Sequence, residues 1–456
     1  MDTIIALATP PGVGAIGVIR VSGPEAIRLT DDVFKGKKLE DQPGHTLHFG
    51  SIHDEEGRLL DEVLVSLFRG PRSYTGEDAT EISCHGSHYI LQEVIALLLR
   101  KGARLAKPGE FTLRAFLNGR MDLSQAEAVA DLIASESASA HAIAMQQMRG
   151  GFSNEIKKLR QELIDFAALI ELELDFGEED VEFANRTDLK DLIRRILRLM
   201  HDLAQSFQLG NVIKNGVSTV IAGRPNAGKS TLLNALLNEE RAIVSDIAGT
   251  TRDTIEETLH IGGVTFRIID TAGIREAQDA IEAVGVAKTM EKVRQSALLV
   301  YVFDVIRSSP EEVRADLEQL VGPDTRLLVV ANKMDLNPYT SHAHYACELL
   351  PESAWVPVSA LNNMNVEYLK EKLLNSVLEG NIRTEHTVVA NARHYDALLK
   401  SSESLTDALR SIETGISGDF IAMDIRRALT FLGEITGEIS SEDLLDSIFS
   451  RFCIGK

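Results

Sequence analysis

The chain has 456 residues, 44% of them hydrophobic, and it carries a formal net charge of −21. Such a length suggests about three domains of ~150 residues each with packed cores, and the acidic charge argues against general adhesion to nucleic acid. Three cysteines without C-x-x-C spacing argue against a disulfide framework or a structural zinc site. The longest apolar runs are too short for a membrane-spanning helix, and no basic segment precedes an apolar one at the N-terminus, so we expect no signal peptide and a cytoplasmic location.

The first 118 residues alternate short apolar segments with clusters of turn residues, which is typical of an α+β domain. Strands are predicted at residues 4–8, 15–21, 62–68 and 79–84. One helix is predicted near residues 87–101. The N-terminal domain is therefore predicted to span residues 1–118.

Helical periodicity replaces this pattern in residues 119–212, and residues 124–127 have the sequence of a capping box. Residues 213–379 then alternate strands and helices, as α/β nucleotide-binding units do. Residues 380–456 are helical again. Because helical segments flank the α/β unit, we predict one discontinuous α-helical domain into which that unit is inserted.

A phosphate-binding loop is predicted at residues 223–230, which fit the pattern G-x-x-x-x-G-K-[ST] between a predicted strand, 217–222, and a predicted helix, 231–237. In such a loop the backbone N–H groups surround a polyphosphate. Lys229 neutralises the terminal phosphates and Ser230 offers a hydroxyl to Mg²⁺. The residues of this segment that we assign to nucleotide binding are Asn226, Ala227, Gly228, Lys229, Ser230 and Thr231.

Four further motifs follow in the order found in guanine-nucleotide switches. Thr251 can reach Mg²⁺ and the γ-phosphate, and Asp270 can hold the metal through water. Asp335, which follows a predicted strand at 326–331, can accept hydrogen bonds from the ring N–H and the exocyclic amine of guanine, a pattern that adenine cannot match. The remaining nucleotide residues predicted from these motifs are Gly249, Thr250, Thr271, Ala272, Gly273, Asn332, Lys333, Ser359 and Ala360. Four ordered motifs at strand ends predict an α/β Ras-like P-loop GTPase domain.

GTP hydrolysis requires a water-orienting group other than glutamine, because Ile274 stands where Ras-like enzymes place a water-orienting glutamine. An isoleucine cannot orient water. The carboxylates available in the following segment are Glu276, Asp279 and Glu282. Arg224 and Arg252 are candidates for stabilising transition-state charge, and a monovalent cation bound through Asn226 is the alternative.

Motifs spread over the whole chain are similar to those of one family, and a generic GTPase requires none of them. These motifs occupy residues 3–12, 19–24, 73–78, 84–86, 108–112, 114–119, 122–128 and 448–456. In them the chain resembles the MnmE (TrmE) family of bacterial tRNA-modification GTPases. The resemblance implies an N-terminal domain that binds folate and dimerises.

The function implied by this resemblance is GTP hydrolysis, activated by K⁺, in tRNA modification. The family works with MnmG, an FAD protein, to place an aminomethyl-type (carboxymethylaminomethyl) group at position 5 of the wobble uridine of certain tRNAs. The one-carbon donor is 5-formyltetrahydrofolate or a related folate. Two alternatives stay open: a regulatory or ribosome-assembly GTPase without modification chemistry, and a folate enzyme whose GTPase unit only gates oligomerisation.

Site residues follow from the same resemblance. Glu282 matches the carboxylate that activates water, and Asn226 matches the side-chain K⁺ ligand, with further oxygens from the adjoining loop. The residues of that loop are Ser245, Asp246, Ile247, Ala248 and Thr250, of which Ser245, Ile247 and Thr250 fall at K⁺-ligand positions. The residues that match folate contacts are Arg20, Glu81, Arg120 and Lys456, with arginine at 120 where lysine is usual.

Cys453 has two competing interpretations. A lone cysteine is most often a small buried hydrophobe. Cys453, however, lies three residues from Lys456, whose positive charge favours a thiolate. The resemblance places this tail near the folate pocket, so a direct catalytic role is the alternative.

Overall fold

The computed structural model describes residues 2–175, 186–238, 256–269, 296–322, 325–378 and 388–455. It divides into two compact units, one comprising Met1–Ile133, Gln146–Leu197 and Ala397–Lys456, and the other comprising Ala134–Met145 and Arg198–Asp396. Each unit contains one β-sheet. The predicted fold class is confirmed: the chain is multidomain, with an α+β N-terminal part, helical segments on both sides, and an α/β unit inserted between them.

Strands and helices alternate irregularly along the described chain. The strands are β1 Ile4–Leu7, β2 Gly14–Ser22, β3 Phe34–Lys35, β4 Thr46–His53, β5 Leu59–Phe68, β6 Ala79–Gly86, β7 Arg104–Leu105, β8 Val217–Ala222, β9 Glu256–Ile261, β10 Val264–Ile269, β11 Leu298–Asp304, β12 Arg326–Asn332 and β13 Trp355–Pro357. The helices are α1 Ala26–Asp31, α2 His88–Arg100, α3 Glu110–Leu117, α4 Leu123–Ala134, α5 Ala138–Met148, α6 Gly151–Asp175, α7 Arg186–Asn215, α8 Lys229–Asn238, α9 Pro310–Leu320, α10 His342–Tyr345, α11 Val366–Leu378, α12 Ala392–Glu413, α13 Gly418–Thr436 and α14 Glu442–Phe449.

The sheet of the first unit has the strand order β3-β4-β5-β6-β2-β1-β7. Its pairs are antiparallel except for β1 with β7. One face packs against α2 through buried side chains such as Ile82 and Val94. The opposite face carries Arg20 directly across from Glu81 in the register of β2 and β6. Antiparallel pairing brings such opposite residues within contact distance, so this pair shares one surface.

The sheet of the second unit has the order β13-β12-β11-β8-β10-β9, and only the edge strand β9 pairs antiparallel. All seven residues of β11 are buried. Continuous burial is typical of a parallel strand covered by helices on both faces. Because the parallel strands end at the same edge, the loops after β8, β11, β12 and β13 meet there, where open α/β sheets bind ligands.

The capping box predicted at residues 124–127 is wrong by two residues. Ser124 is buried within α4, and its backbone and side-chain oxygens accept from Gln147. The reciprocal capping bonds join Asp122 and Gln125 instead, at 3.0 Å each. Asp122 takes this role because the helix begins one residue earlier than the serine, at Leu123. Within the described ranges, none of the helices combines the length and apolar character that a membrane crossing requires.

Candidate active site

The phosphate loop connects β8 to α8 and depends on glycine at two positions. Gly223 has φ +148° and Gly228 has φ +93°, backbone conformations that residues with a side chain rarely adopt. A Cβ at Gly223 would collide with the carbonyl oxygen of Val302, and one at Gly228 would collide with the amide nitrogen of Asn332. The loop therefore lies directly against the ends of β11 and β12.

Lys229 is the first residue of α8, and its ammonium group bonds to the backbone of the loop it closes. Nζ donates to the carbonyl oxygens of Gly223 at 2.7 Å and Arg224 at 3.0 Å. Ser230 and Thr231 follow in the first helical turn. A helix N-terminus favours an anion, so ammonium, hydroxyls and helix end offer one phosphate-binding surface.

Asn332, the last residue of β12, joins three of the predicted motifs. Its side chain is buried, and Nδ2 donates to the carbonyl oxygen of Ala227 at 2.8 Å. Its Oδ1 accepts from the backbone N–H of Ala360 at 3.0 Å. Ser359 beside it is also buried, whereas Asp335 is exposed. One amide thus ties the phosphate loop to both segments predicted to hold the guanine base.

Lys333 adds a second link, through an acid that the sequence motifs do not include. Its Nζ donates to the carbonyl oxygen of Asn226 at 3.0 Å and to Oδ2 of Asp304 at 2.6 Å. Burial alone would raise the pKa of Asp304, but the bonds from Lys333 and from the N–H of Ile306 hold that pKa below its usual value. The one signal for Asp304 in the sequence is a carboxylate at the last position of a strand whose other residues are aliphatic or aromatic.

Arg224 does not take the role of a charge-stabilising finger in this arrangement. Its guanidinium is held by Asp316, with Nε to Oδ2 at 2.8 Å and Nη2 to Oδ1 at 3.0 Å, and it also pairs with Glu312. These carboxylates neutralise the group and fix it on α9. Arg252, the other arginine predicted to stabilise transition-state charge, lies outside the described residues.

The remaining residues predicted for the GTPase reaction lie outside the described ranges, so their assignments stay predictions. They are Ser245, Asp246, Ile247, Ala248, Gly249, Thr250, Thr251, Arg252, Asp270, Thr271, Ala272, Gly273, Ile274, Glu276, Asp279 and Glu282, and Lys456 at the C-terminus lies outside as well.

A second cluster lies on the N-terminal sheet around Arg20. Its Nη2 is 2.7 Å from Oε1 of Glu81, and its Nη1 donates to the carbonyl oxygen of Gly455 at 3.3 Å. The guanidinium carbon is 5.5 Å from the ring centroid of Tyr74 and 5.7 Å from that of Phe111. The structure thus brings Arg20, Glu81 and the C-terminal tail together. Arg120, the other predicted folate contact in the described ranges, is exposed and lies beside Gly76.

The three cysteines differ in environment. Cys453 is exposed, and its carbonyl oxygen accepts from the N–H of Gly109 at 3.5 Å. The interpretation of Cys453 as a buried hydrophobe is therefore wrong. Cys84 is buried, and burial, together with the charge of Asp61, raises its thiol pKa to about 11. Cys347 is partly exposed.

Comparison with known proteins extends these observations to the whole chain. Two family models match: "GTP-binding protein TrmE N-terminus" over residues 3–120 and "MnmE helical domain" over residues 123–453. The tRNA modification GTPase MnmE of Cytophaga hutchinsonii is 56% identical over 100% of this chain and 98% of its own length. The MnmE of Christiangramia forsetii is also 56% identical, over 100% of this chain and 99% of its own length.

Among solved structures, a GTP-binding protein from Sulfolobus solfataricus in complex with GDP aligns at 22% identity. The alignment covers 49% of this chain and 68% of that one with a TM-score of 0.29, which is too low to support an argument. The family models and the full-length relatives identify the family. This chain belongs to the MnmE (TrmE) family of tRNA modification GTPases.

Proposed function

We propose that this chain is a K⁺-activated GTPase that acts with an MnmG-type FAD protein on the wobble uridine of tRNA. The family assignment gives GTP hydrolysis in tRNA modification. The finer proposal adds a folate one-carbon donor and carboxymethylaminomethyl transfer to position 5 of that uridine. The main structural support for the GTPase part of this proposal is Asn332, which joins the phosphate loop to the segments predicted to bind guanine through 2.8 and 3.0 Å hydrogen bonds.

The proposal assigns each metal to residues of the loop region. Ser230 and Thr251 would bind Mg²⁺, the first through a hydroxyl at the start of α8. Asn226 is exposed on the loop with φ 62°, and an amide oxygen is a donor of the kind that K⁺ accepts in proteins. The proposed oxygens that complete the K⁺ shell belong to Ser245, Ile247 and Thr250.

A bound K⁺ supplies positive charge next to the nucleotide phosphates, the role that an arginine finger has in other GTPases. The carboxylate contacts of Arg224 make a separate source of positive charge more necessary. In this proposal Glu282, which matches the water-activating carboxylate of the family, accepts a proton from the attacking water. Ile274 cannot orient that water, since it stands where Ras-like enzymes place a glutamine.

Glu282→Ala is expected to leave GTP binding within about threefold of wild type and to lower K⁺-stimulated turnover by ~10²-fold or more, since loss of a general base costs 10²–10⁴. The measurement is phosphate release at matched ionic strength in KCl and in NaCl. Glu276→Ala is the matched control and should retain stimulation. Retained K⁺ stimulation in Glu282→Ala, or loss of GTP binding, would contradict the catalytic assignment.

The folate part of the proposal depends on the cluster around Arg20. A folate carries carboxylates and a flat pterin ring, which suit an arginine fork and the neighbouring aromatic rings of Tyr74 and Phe111. Glu81 adds an acceptor for ring N–H groups. Lys456 and Arg120 would add positive charge, and the exposed Cys453 thiol next to this tail is a candidate for the one-carbon chemistry.

Arg20→Ala is expected to weaken binding of 5-formyltetrahydrofolate by about tenfold or more, because charged hydrogen bonds contribute ~1.5–3 kcal/mol each. Calorimetric titration of the whole protein measures this. Arg28→Ala, which removes an exposed arginine of α1, is the control and should bind folate as wild type does. A regulatory or ribosome-assembly GTPase predicts no folate binding by wild type, and that result would remove the modification proposal.

We also propose a homodimer formed by the N-terminal domain, residues 1–118, in the cytoplasm. Leu47, Phe49 and Leu64 support this proposal, because they expose 59%, 68% and 41% of their surface on one face of β4 and β5. Exposed apolar patches on a sheet commonly mark protein interfaces. Residues 119–212 and 380–456 would form the discontinuous helical domain, and residues 213–379 the GTPase domain.

A further inference from the structure

A network of side chains anchors the phosphate loop to the neighbouring helix α9. Arg224 is the second residue of the loop, and Asp316 receives two of its N–H groups at 2.8 and 3.0 Å. Glu312, one helical turn earlier on α9, pairs with the same guanidinium. Residues four apart on a helix share a face, so α9 presents both carboxylates to the loop. The two-point contact with Asp316 fixes the orientation of the guanidinium as well as its position.

Tyr301 of β11 supports the same carboxylate from the sheet. Its hydroxyl donates to Oδ2 of Asp316 at 2.5 Å, and its ring is almost fully buried. Burial, and then the bond to Asp316, raise the pKa of the Tyr301 phenol, so the phenol remains a donor. Asp316 is thus held between a rigid strand and the loop arginine.

The backbone of Arg224 meets the lysine that binds phosphate. Its carbonyl oxygen accepts from Nζ of Lys229 at 3.0 Å and from the N–H of Ala227 at 3.3 Å. The side chain of one residue is therefore fixed by α9 while its carbonyl fixes the ammonium group. A displacement of Arg224 would move the carbonyl and with it the charge that neutralises the nucleotide.

We propose that Asp316, supported by Tyr301, is a positioning residue that holds Arg224 so that its carbonyl keeps Lys229 aligned for the phosphates of GTP. Asp316 acts through Arg224 and does not touch the nucleotide. The proposal rests on the assignment of GTP to this loop. According to this proposal, α9 contributes to nucleotide affinity, which the sequence motif of the loop alone does not predict.

The test compares Asp316→Ala, Asp316→Asn and Tyr301→Phe with Glu318→Gln. Glu318 is the matched control, because it lies on the same helix and pairs with the exposed Arg314. Dissociation constants for fluorescent GDP and GTP analogues, the KM and kcat of hydrolysis, and the melting temperature are measured for each whole protein. We expect Asp316→Ala to raise the dissociation constants about tenfold and KM in parallel, with a smaller change in kcat.

Tyr301→Phe and Asp316→Asn should raise the dissociation constants by about threefold, and Glu318→Gln should leave them within twofold. Asp316→Ala combined with Arg224→Met should bind no more weakly than either single variant, because both remove the same contact. Additive effects, or wild-type affinity in a folded Asp316→Ala protein, would overturn the inference. If wild-type protein bound no guanine nucleotide, the assignment of GTP would fail first, so the two failures are distinguishable.

Discussion

Lys229→Ala is expected to lower GTP hydrolysis by ~10²–10³-fold, the usual cost of removing one preorganised group that stabilises transition-state charge. Lys229 is held by the carbonyl oxygens of Gly223 and Arg224, so its charge is already oriented before nucleotide binds. Arg224, the other cationic residue of the segment 223–230, cannot replace it, because Asp316 and Glu312 neutralise the guanidinium. The measurement is the single-turnover rate at saturating GTP.

Lys372→Ala is the matched control for that experiment, because Lys372 is a partly exposed lysine of the same unit that donates to the carbonyl oxygen of Ser353. It should hydrolyse GTP at the wild-type rate. Both variants should melt within a few degrees of wild type. Wild-type hydrolysis by a folded Lys229→Ala protein would contradict the assignment of the phosphate loop.

Arg114→Met is expected to destabilise the first unit by ~3–5 kcal/mol, the usual cost of removing one partner from a buried ion pair. Arg114 is only 4% exposed and is the shared partner of Asp2, Glu77 and Glu110, at 2.7, 3.2 and 3.0 Å. Methionine keeps much of the volume but leaves these carboxylates without that positive charge. Urea denaturation measures the free energy of unfolding, and Arg28→Met on α1 is the exposed control, for which we expect a change below ~1 kcal/mol.

The same ion-pair network predicts how stability depends on pH. Burial alone would raise the pKa of Glu110, but hydrogen bonds from Arg104, the N–H of Lys107 and Arg114 bring it below its usual value of 4.5. A carboxyl with a lowered folded-state pKa stabilises the protein above its unfolded-state pKa, and this contribution is lost as the pH falls through the folded-state pKa. Wild-type protein should therefore lose stability below about pH 4.5 more steeply than Arg114→Met. Equal slopes would contradict this account.

The local parts of the GTPase unit can be predicted from sequence because they depend on short patterns. The strand predicted at 217–222 matches β8, Val217–Ala222, and the strand predicted at 326–331 lies within β12, Arg326–Asn332. Apolar runs that end in glycine or asparagine carry this information in consecutive residues. The contacts of Asp304 and Asp316 are not encoded in consecutive residues. Asp304 meets Lys333 only after β11 has paired with β12, and Asp316 meets Arg224, which lies 92 residues away in the chain.

In the N-terminal sheet, too, some strands can be predicted from the sequence and others cannot. The strand predicted at 15–21 lies within β2, Gly14–Ser22, whereas the sequence pattern predicts no strand at β4, Thr46–His53. β4 mixes polar, glycine and apolar residues and leaves Leu47 and Phe49 exposed, so its pattern lacks a clear buried face. Its existence depends on pairing with β3 and β5. The hydrogen bond from Arg20 to the carbonyl oxygen of Gly455 joins segments 435 residues apart, so neither local sequence predicts it.

Mass spectrometry of tRNA nucleosides tests most directly whether GTP hydrolysis by this chain drives wobble-uridine modification. A strain without the gene would be complemented with wild-type protein, with Lys229→Ala, and with the Lys372→Ala control. We predict that the carboxymethylaminomethyl uridine is lost on deletion, restored by wild type and the control, and not restored by Lys229→Ala. Unchanged wobble uridines in the deletion strain, or full restoration by Lys229→Ala, would contradict the proposal.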